Sequence, residues 1–569
     1  MESMMVRARA DVLARIKTAI SDLLREEGLS EGPRLEFDGE VRLQRPARAE
    51  HGDMATNAAM LLGKSLGRNP RRVAESLAGR LDLNGSFADK VEVAGPGFIN
   101  FFLGRHWLEE SLRSVIEQGE SYGRTGTGCG MGVLLEFVSA NPTGPIIVVQ
   151  ARAGAVGDTL ANLLDWAGFD VKREFYVNDA GNQVATLGRS LEIRYRQLLG
   201  EGIEVPEDCY PGEYLIEIAE RLKEEKGPDL LALPPDERAL LFSRYAIDNI
   251  LRAQRESLKR YGVEFDLWFS EKSLHDAGDV SRVVEFMRER GHVYESEGAV
   301  WLRSTTFGDD KDRVLVKSDG SFTYLAPDIA YHLNKYRRGF EQLIDIWGPD
   351  HHGYISRMKA AVEAMGYPRD SFEVLIVQIV RLIRGGEPVK MSKRMGEFVT
   401  MDELLDEVGK DAARFFFLLR SPDSHLDFDL DLAKIQSNEN PVYYVQYAHA
   451  RISSMFREAA ARGVESIDAA SLAGSDLSLL VDESEIALIK GLSEFPEEIA
   501  AAAIAREPHR MPHYLTEVAT LFHSFYTRCR VLGAEDDGIM RARLCLALAT
   551  RIVLRNGLRL MSVSAPDRM

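Results

Sequence analysis

Four cysteines in 569 residues, Cys129, Cys209, Cys529 and Cys545, are too few for a disulfide framework and too widely spaced for a CxxC metal knuckle. Their scarcity fits a reducing compartment and a protein with no bound structural metal. No segment holds the run of about twenty apolar residues that a membrane-crossing helix needs. The N-terminal stretch reads as a helix with Val12, Leu13, Ile16 and Ile20 on one face, and it lacks the apolar core of a secretory signal. A soluble, cytoplasmic protein is expected. Positive charge is also short: 70 Lys and Arg against 88 Asp and Glu leave a net charge of −18. Such a chain repels phosphate overall and leaves any nucleic-acid contact to local clusters. Arg68, Arg71 and Arg72 form one cluster, and the arginines between Arg528 and Arg559 another. Taken alone, both read as solvated faces and ion pairs. Repeats and low-complexity tracts are absent.

What is present is an ordinary globular composition, 45% hydrophobic and 28% charged, on a chain long enough for about three domains. The first hundred residues alternate helical stretches with short apolar runs and end in VEVAGPGFINFFL. The Gly-rich segment 123–132 reads as a flexible connection and sets the first boundary, after residues 1–122. Val133 to Val138 reads as a buried parallel strand, followed by turn residues Asn141 to Pro145. A helix follows, with Val156, Leu160, Leu163, Leu164 and Ala167 in helical spacing and Gly168 at its end. Strand, turn and helix open a Rossmann-like α/β unit, which places a ligand at the carboxyl end of the strand. Charged helical segments over about 190–300, broken at Pro234 and Pro235, read as an insertion. Strand signals return at AVWL (299–302), VLVK (314–317), LIDIW (343–347) and VLIVQIV (374–380), with a hairpin turn at the SDG triplet 318–320. From 436 onward the pattern is helical. The fold class is therefore α/β: a Rossmann-like unit at 123–435 between an N-terminal α+β unit and an all-α unit at 436–569.

Several stretches carry a resemblance: EFVSANPTGP (136–145), YVNDAGNQ (176–183), TYLAPDIAYHL (323–333), WGPDHHGY (347–354), VKMSKRMGEFVT (389–400), the run from Arg420 to Arg451, and the closing RNGLRLMSVSAPDRM. In this order they resemble bacterial-type arginyl-tRNA synthetases, members of class I. The resemblance implies an arginine–tRNA ligase that joins arginine to ATP as an adenylate and passes the aminoacyl group to tRNA(Arg). It implies ATP as substrate, with Mg2+, and a monomer. Little covalent chemistry falls to such a protein; positioning and fixed donors do the work. Lys390 and Lys393 would be catalytic, closing over the triphosphate, with Met391 and Ser392 in the same ATP-binding loop. Thr143, Gly144, Pro145, Gln150, Gly348, Asp350, His351 and His352 would also bind ATP. A zinc site is the rival reading of the paired histidines, but nothing at ligand spacing completes it. A guanidinium is always charged and is matched by carboxylates, and the resemblance offers Glu136 and Asp328 for it, with Ser139, Asn141 and Tyr324 around the amino acid. Glu136 lies in an otherwise apolar strand, where an unpaired charge would cost about several kcal/mol. Tyr324 is either a pocket wall one turn before Asp328 or an ordinary core aromatic. The N-terminal unit would touch the tRNA elbow. Tyr443, Tyr444, Tyr447 and Met569 would lie near anticodon bases, where tyrosines stack on unpaired rings, or else they pack helices.

The pattern breaks at one place. After NPTGP the family carries a His-x-Gly-His motif at the start of a helix; here Ile147, Val148, Val149 and Gln150 stand there. Two donors to ATP phosphates are lost, and Val149 adds bulk where adenine should lie against backbone. Met395 and Glu397 are lesser departures. Two readings stay open: a ligase impaired by this loss, and a catalytically inactive synthetase-like protein that binds tRNA or arginine.

Overall fold

Five strands lie side by side, all parallel, in the order Phe372–Ile376, Gln342–Trp347, Gly132–Glu136, Asp170–Val177, Leu267–Ser270. They belong to a computed structural model that describes residues 3–26, 41–46, 48–389, 399–534 and 536–569. Strand order reverses between Gly132–Glu136 and Gln342–Trp347, because the chain first builds outward on one side and then returns to the other. In an open parallel sheet this switch point leaves a crevice at the carboxyl ends.

The two faces of the sheet follow from the two-residue period of its strands. Val133 and Leu135 pack with Ile344 into the core under the helix Val148–Trp166. Leu134 and Leu343 point the other way, toward the helices Leu325–Arg337 and Ile355–Met365. The helix Val148–Trp166 is buried nearly all round. Gly157 is required there: a Cβ would stand 2.3 Å from the Phe137 ring. Its C-terminus corrects one expectation. The Gly-rich segment 123–132 is no loose connection, since Thr125, Gly128 and Gly130 donate backbone N–H groups to the carbonyls of Trp166, Ala167 and Gly168 at 2.8 Å. These bonds satisfy carbonyls that the helix end leaves without partners.

The expected insertion at 190–300 is interrupted. Helices Asn182–Leu198, Tyr214–Lys226 and Pro235–Arg260 enclose a core of their own, but Leu267–Ser270 then returns as the edge strand of the parallel sheet. Four residues with no clear alternation gave no strand signal. Helices Glu271–Ala277 and Asp279–Glu289 follow, then an antiparallel sheet of Val293–Ser296, Ala299–Leu302 and Arg313–Val316, whose last strand turns at Gly320 (φ +83°) as the SDG triplet predicts. VLIVQIV, expected as one strand, is divided. Phe372–Ile376 ends the parallel sheet, and Val380–Arg384 pairs with Leu426–Asp429 in another.

The N-terminal unit has a four-stranded antiparallel sheet and a separate core around Phe101 and Trp107. The helices beyond Pro441 do not have a separate core: Val445, Leu515 and Leu554 belong to the same buried cluster as Leu160 and Phe415. Buried Arg414 ties the two together, donating to Asp158 Oδ2 at 2.6 Å and to the Met561 carbonyl at 2.5 Å. No helix among the described residues is long and apolar enough to cross a membrane.

Candidate active site

Strand register places three carboxylates in one transverse row. Glu136 is paired with Glu174 on one neighbour and with Asp345 on the other, and all three share the face of Leu134 and Leu343. Adjacent strands are about 4.8 Å apart, so three like charges side by side in a buried layer would repel strongly. The helix Leu325–Arg337 lies over this face and supplies the cations. Lys335 Nζ donates to Glu136 Oε2 at 2.6 Å and to Asp345 Oδ1 at 2.9 Å, and Lys335 is wholly buried. Arg338 binds both oxygens of Glu174, which also accepts from the Tyr331 hydroxyl at 2.6 Å. His332 faces Asp345 Oδ2 through Nε2 at 3.0 Å and the Asp328 carbonyl through Nδ1 at 2.8 Å. Burial opposes charge on Lys335, but Asp345 and Glu136 hold its ammonium above the ordinary lysine range. Burial likewise works against Asp345, yet Lys335 and His332 keep its carboxyl low. Glu136 is therefore not the unpaired charge its apolar strand suggested. Its partner comes from within the protein.

Asp328 differs. It is the first acidic residue of the same helix, and its Oδ2 accepts from the Tyr354 hydroxyl at 2.5 Å. No cation stands within ion-pair distance of it among the described residues. Burial raises its carboxyl, against the pull of Tyr354 and the more distant His332 and Lys335. Asp328 and Glu136 line one cavity of about 500 Å³ at the switch point. Ser139 lines it too, donating to Glu136 Oε1 at 3.0 Å while its own oxygen accepts from Tyr176 N–H. Val138 and Ser139 have φ of 67° and 37°, a strained pair of non-glycine residues where the strand ends in the site. Tyr324 corrects an expectation: it caps the helix start, is 88% exposed, and does not line this cavity. Tyr354, unremarked in the sequence, reaches Asp328 instead. It lies one turn beyond the quoted histidines, and that spacing was the available signal.

Asn141, Gln150, Gly348, Asp350 and His351 line the same cavity. His352 is exposed and lies outside it. Thr143, Gly144 and Pro145 form a turn beside it that the helical insertion holds. Gln254 Nε2 donates to the carbonyls of Gly144 (2.8 Å) and Asn141 (3.2 Å), and the Tyr214 hydroxyl to that of Thr143. Gly348 has open space where a Cβ would stand. The helix Val148–Trp166 presents its N-terminus here, with Val149 and Gln150 on the wall. Ile147 occupies the N-cap and offers no side-chain acceptor; the reciprocal half of a cap remains, Gln150 Oε1 accepting from Ile147 N–H at 2.9 Å. The amide nitrogen of Gln150 is left as a donor. Val148 N–H bonds the Val399 carbonyl at 3.2 Å and Met401 N–H the Ile146 carbonyl at 2.8 Å, so the chain arrives at this helix N-terminus as it leaves residue 398. Lys390, Met391, Ser392 and Lys393 themselves lie outside the described residues, with Met395 and Glu397.

Three family models match consecutive parts of the chain: an arginyl-tRNA synthetase N-terminal domain over 11–103, a class I (R) tRNA synthetase catalytic domain over 111–417, and a DALR anticodon-binding domain over 445–569. The chain belongs to the arginyl-tRNA synthetase family. An arginine–tRNA ligase of Symbiobacterium thermophilum is 50% identical over 564 residues, 99% of this chain and all of its own. That of Caldanaerobacter subterraneus is 48% identical over the full length of both. The fold matches the arginyl-tRNA synthetase of Thermus thermophilus with a TM-score of 0.73 at 24% identity, over 99% of this chain and all of that one.

In this synthetase the DALR region presents a groove of about 790 Å³ whose lining includes Arg451, Arg457, Arg528, Arg530 and Arg568 with Tyr447 and Met569. Arg451 sits over the rings of Tyr447 (5.3 Å) and Tyr526 (4.4 Å). Tyr443 stacks on Tyr447 at 6.1 Å and lines an adjoining cavity that also reaches Met569. Tyr444 instead packs against His523 at 4.9 Å and bonds Thr520. Of the arginines between Arg528 and Arg559 only Arg528 and Arg530 line this groove; Arg543 pairs instead with Glu485 and Arg559 with Glu120.

Proposed function

We propose that this arginine–tRNA ligase holds its amino acid by Asp328 and activates it at the N-terminus of the helix Val148–Trp166. The observation that carries the reading is Asp328 itself, a half-buried carboxylate that lines the switch-point cavity and has no cation partner among the described residues. A guanidinium supplies the missing charge and the planar donors a carboxylate takes. Glu136, Ser139 and Asn141 complete the arginine end. The substrate carboxylate attacks the α-phosphorus of ATP and the bond to pyrophosphate breaks. A hydroxyl of the terminal tRNA ribose then attacks the carbonyl of the adenylate, and AMP leaves. Backbone N–H groups at the helix N-terminus, the Gln150 amide and the lysines Lys390 and Lys393 neutralise phosphate charge; Thr143, Gly144, Pro145, Gly348, Asp350 and His351, with Met391 and Ser392, serve the nucleotide, and His352 does not reach it. Among the described residues no group of carboxylate, His or Cys side chains could hold a metal, so the Mg2+ that accompanies a triphosphate is assigned no protein ligand.

Residues 1–122 serve the tRNA elbow, 123–435 the chemistry and 436–569 the anticodon, with Tyr443, Tyr447 and Met569 toward the bases and Tyr444 supporting them. The chain acts as a cytoplasmic monomer. Ile147, Val149 and Gln150 favour a second reading, a protein that binds arginine and tRNA without turnover. Arginine-dependent aminoacylation of tRNA separates the two. A measurable charging rate, slow beside an intact relative, is expected; none at any enzyme concentration would favour the second reading.

A further inference from the structure

The helical insertion reaches the phosphate end of the cleft through one buried amide. We infer that Gln254 is a positioning residue for the nucleotide: from the insertion it fixes the turn 141–145 in the shape that leaves a backbone N–H of that turn to a phosphate oxygen. The inference rests on the reading of this turn as part of the ATP site and extends it to a residue outside the cavity lining.

Gln254 stands on the helix Pro235–Arg260, between two apolar stretches. Ile247 and Ile250 before it belong to the insertion's own core, and Leu258 after it belongs to the core around the helix Val148–Trp166. It is 1% exposed, and a buried amide at such a junction is costly unless its groups are bonded. Its nitrogen is bonded twice, donating to the carbonyls of Gly144 at 2.8 Å and Asn141 at 3.2 Å. Its oxygen is buried without a donor among the described residues. An apolar side chain of the same length would fill the space without that penalty. Packing therefore does not account for this residue, and the turn does.

Both of those carbonyls precede prolines, Pro142 and Pro145, so their peptides carry no N–H. The peptide between Thr143 and Gly144 does carry one, and its carbonyl is taken by the Tyr214 hydroxyl of the same insertion. A trans peptide points its N–H opposite its carbonyl, so the Gly144 N–H is turned away from Tyr214. No acceptor for it stands among the described residues. An N–H freed in a turn is a group that an anion takes. The same helix also braces the neighbouring segment. One turn beyond Gln254, Ser257 donates to Asp402, as does Arg260 at 3.0 Å, next to the Met401 N–H that bonds the Ile146 carbonyl. The end of the insertion helix thus holds both segments that meet at the N-terminus of Val148–Trp166.

The test is calorimetry of the full chain with ATP and with arginine, beside its thermal midpoint. Gln254→Met keeps the length and loses both donors; ATP affinity should fall about tenfold or more while arginine affinity stays within a few-fold. Tyr214→Phe removes one bond to the same turn and should weaken ATP binding by less. Asn249→Ala is the control. Asn249 is buried on the same helix and accepts from Arg221 at 2.9 Å within the insertion, so its loss should lower the midpoint and leave ATP affinity alone. Gln254→Met with native ATP affinity would overturn the inference. So would an equal loss of arginine affinity, or an Asn249→Ala as weak for ATP as Gln254→Met, because the insertion would then act only through general stability. If Gln254→Met does not fold, Tyr214→Phe decides: weaker ATP binding with arginine affinity kept supports the inference, and native ATP affinity or an equal loss of both overturns it. Failure of the nucleotide reading itself would appear differently, as Gln150→Ala leaving ATP affinity unchanged.

Discussion

The two ends of the cleft are built by opposite means. At the arginine end, side chains do the work: three carboxylates in register, buried Lys335 and the more exposed Arg338 above them, and Asp328 held by Tyr354. At the phosphate end, side chains contribute less: among the described residues it has the N-terminus of one helix, the Gln150 amide, Asp350 and His351, and a turn whose carbonyls are clamped by Tyr214 and Gln254. The comparison teaches that recognition and chemistry can be separated within one cavity. A guanidinium needs a fixed, dry, charged partner, which only a core can provide. A triphosphate can be held by backbone donors and cations.

The largest effect should come from the depleted end. Losing one preorganised donor to a developing oxyanion costs about 2.7–4 kcal/mol, roughly a hundred- to a thousandfold in rate, and two are missing. Restoring Ile147→His, Val149→Gly and Gln150→His together should raise arginine-dependent pyrophosphate exchange, measured with tRNA present, by about two orders of magnitude or more. Equal rates would mean that backbone, Gln150 and the lysine loop already suffice. Next comes Asp328→Ala, which strips the pocket of its free carboxylate. Arginine affinity should fall by about 2–5 kcal/mol while ATP affinity holds, and calorimetry on both ligands would show an equal loss if the assignment is wrong.

Tyr447→Ala should weaken tRNA binding by about 1–3 kcal/mol, the worth of one stacked base, without touching arginine affinity. Filter binding would check it, and Tyr444→Ala should instead lower thermal stability. A truncation at 436 is a poorer test, because the helices beyond it share their core with Leu160 and Phe415. The smallest effect is a shift in pH dependence. Burial raises the Asp328 carboxyl and the Tyr354 hydroxyl bond lowers it. The ionised form binds arginine, so affinity falls as pH falls through that value. Tyr354→Phe removes a lowering influence, so the fall should begin at higher pH; a shift toward lower pH would contradict the assignment.

How much of this was legible depended on whether a residue's partner was near it in sequence. The helix Val148–Trp166, the strand Ala299–Leu302 and the SDG turn follow from local period and turn chemistry, and the fold class with them. Glu136 was singled out by the oddness of a charge in an apolar strand. Asp345, in LIDIW, carries the same signal and was passed over. Lys335 was hidden because a lysine in a helix reads as solvated, although Asp328, His332 and Lys335 fall at i, i+4 and i+7 and therefore share one stripe. The register that aligns Glu174, Glu136 and Asp345 belongs to strand pairing between segments about 40 and 210 residues apart, which no local pattern carries. Tyr324 failed for a related reason: spacing placed it one turn from Asp328, but its position at the helix cap sends it to solvent.

The central claim is that the two ends act independently, and a double-mutant cycle tests it most directly. Asp328→Ala is introduced into the native chain and into the restored triple variant, and kcat/KM for arginine is measured by pyrophosphate exchange with tRNA present. Sites that share no partner add to within about 0.3–0.5 kcal/mol, so the account predicts the same fold-loss in both backgrounds. A loss differing by about tenfold or more, equivalent to 1.4 kcal/mol of coupling, would contradict it.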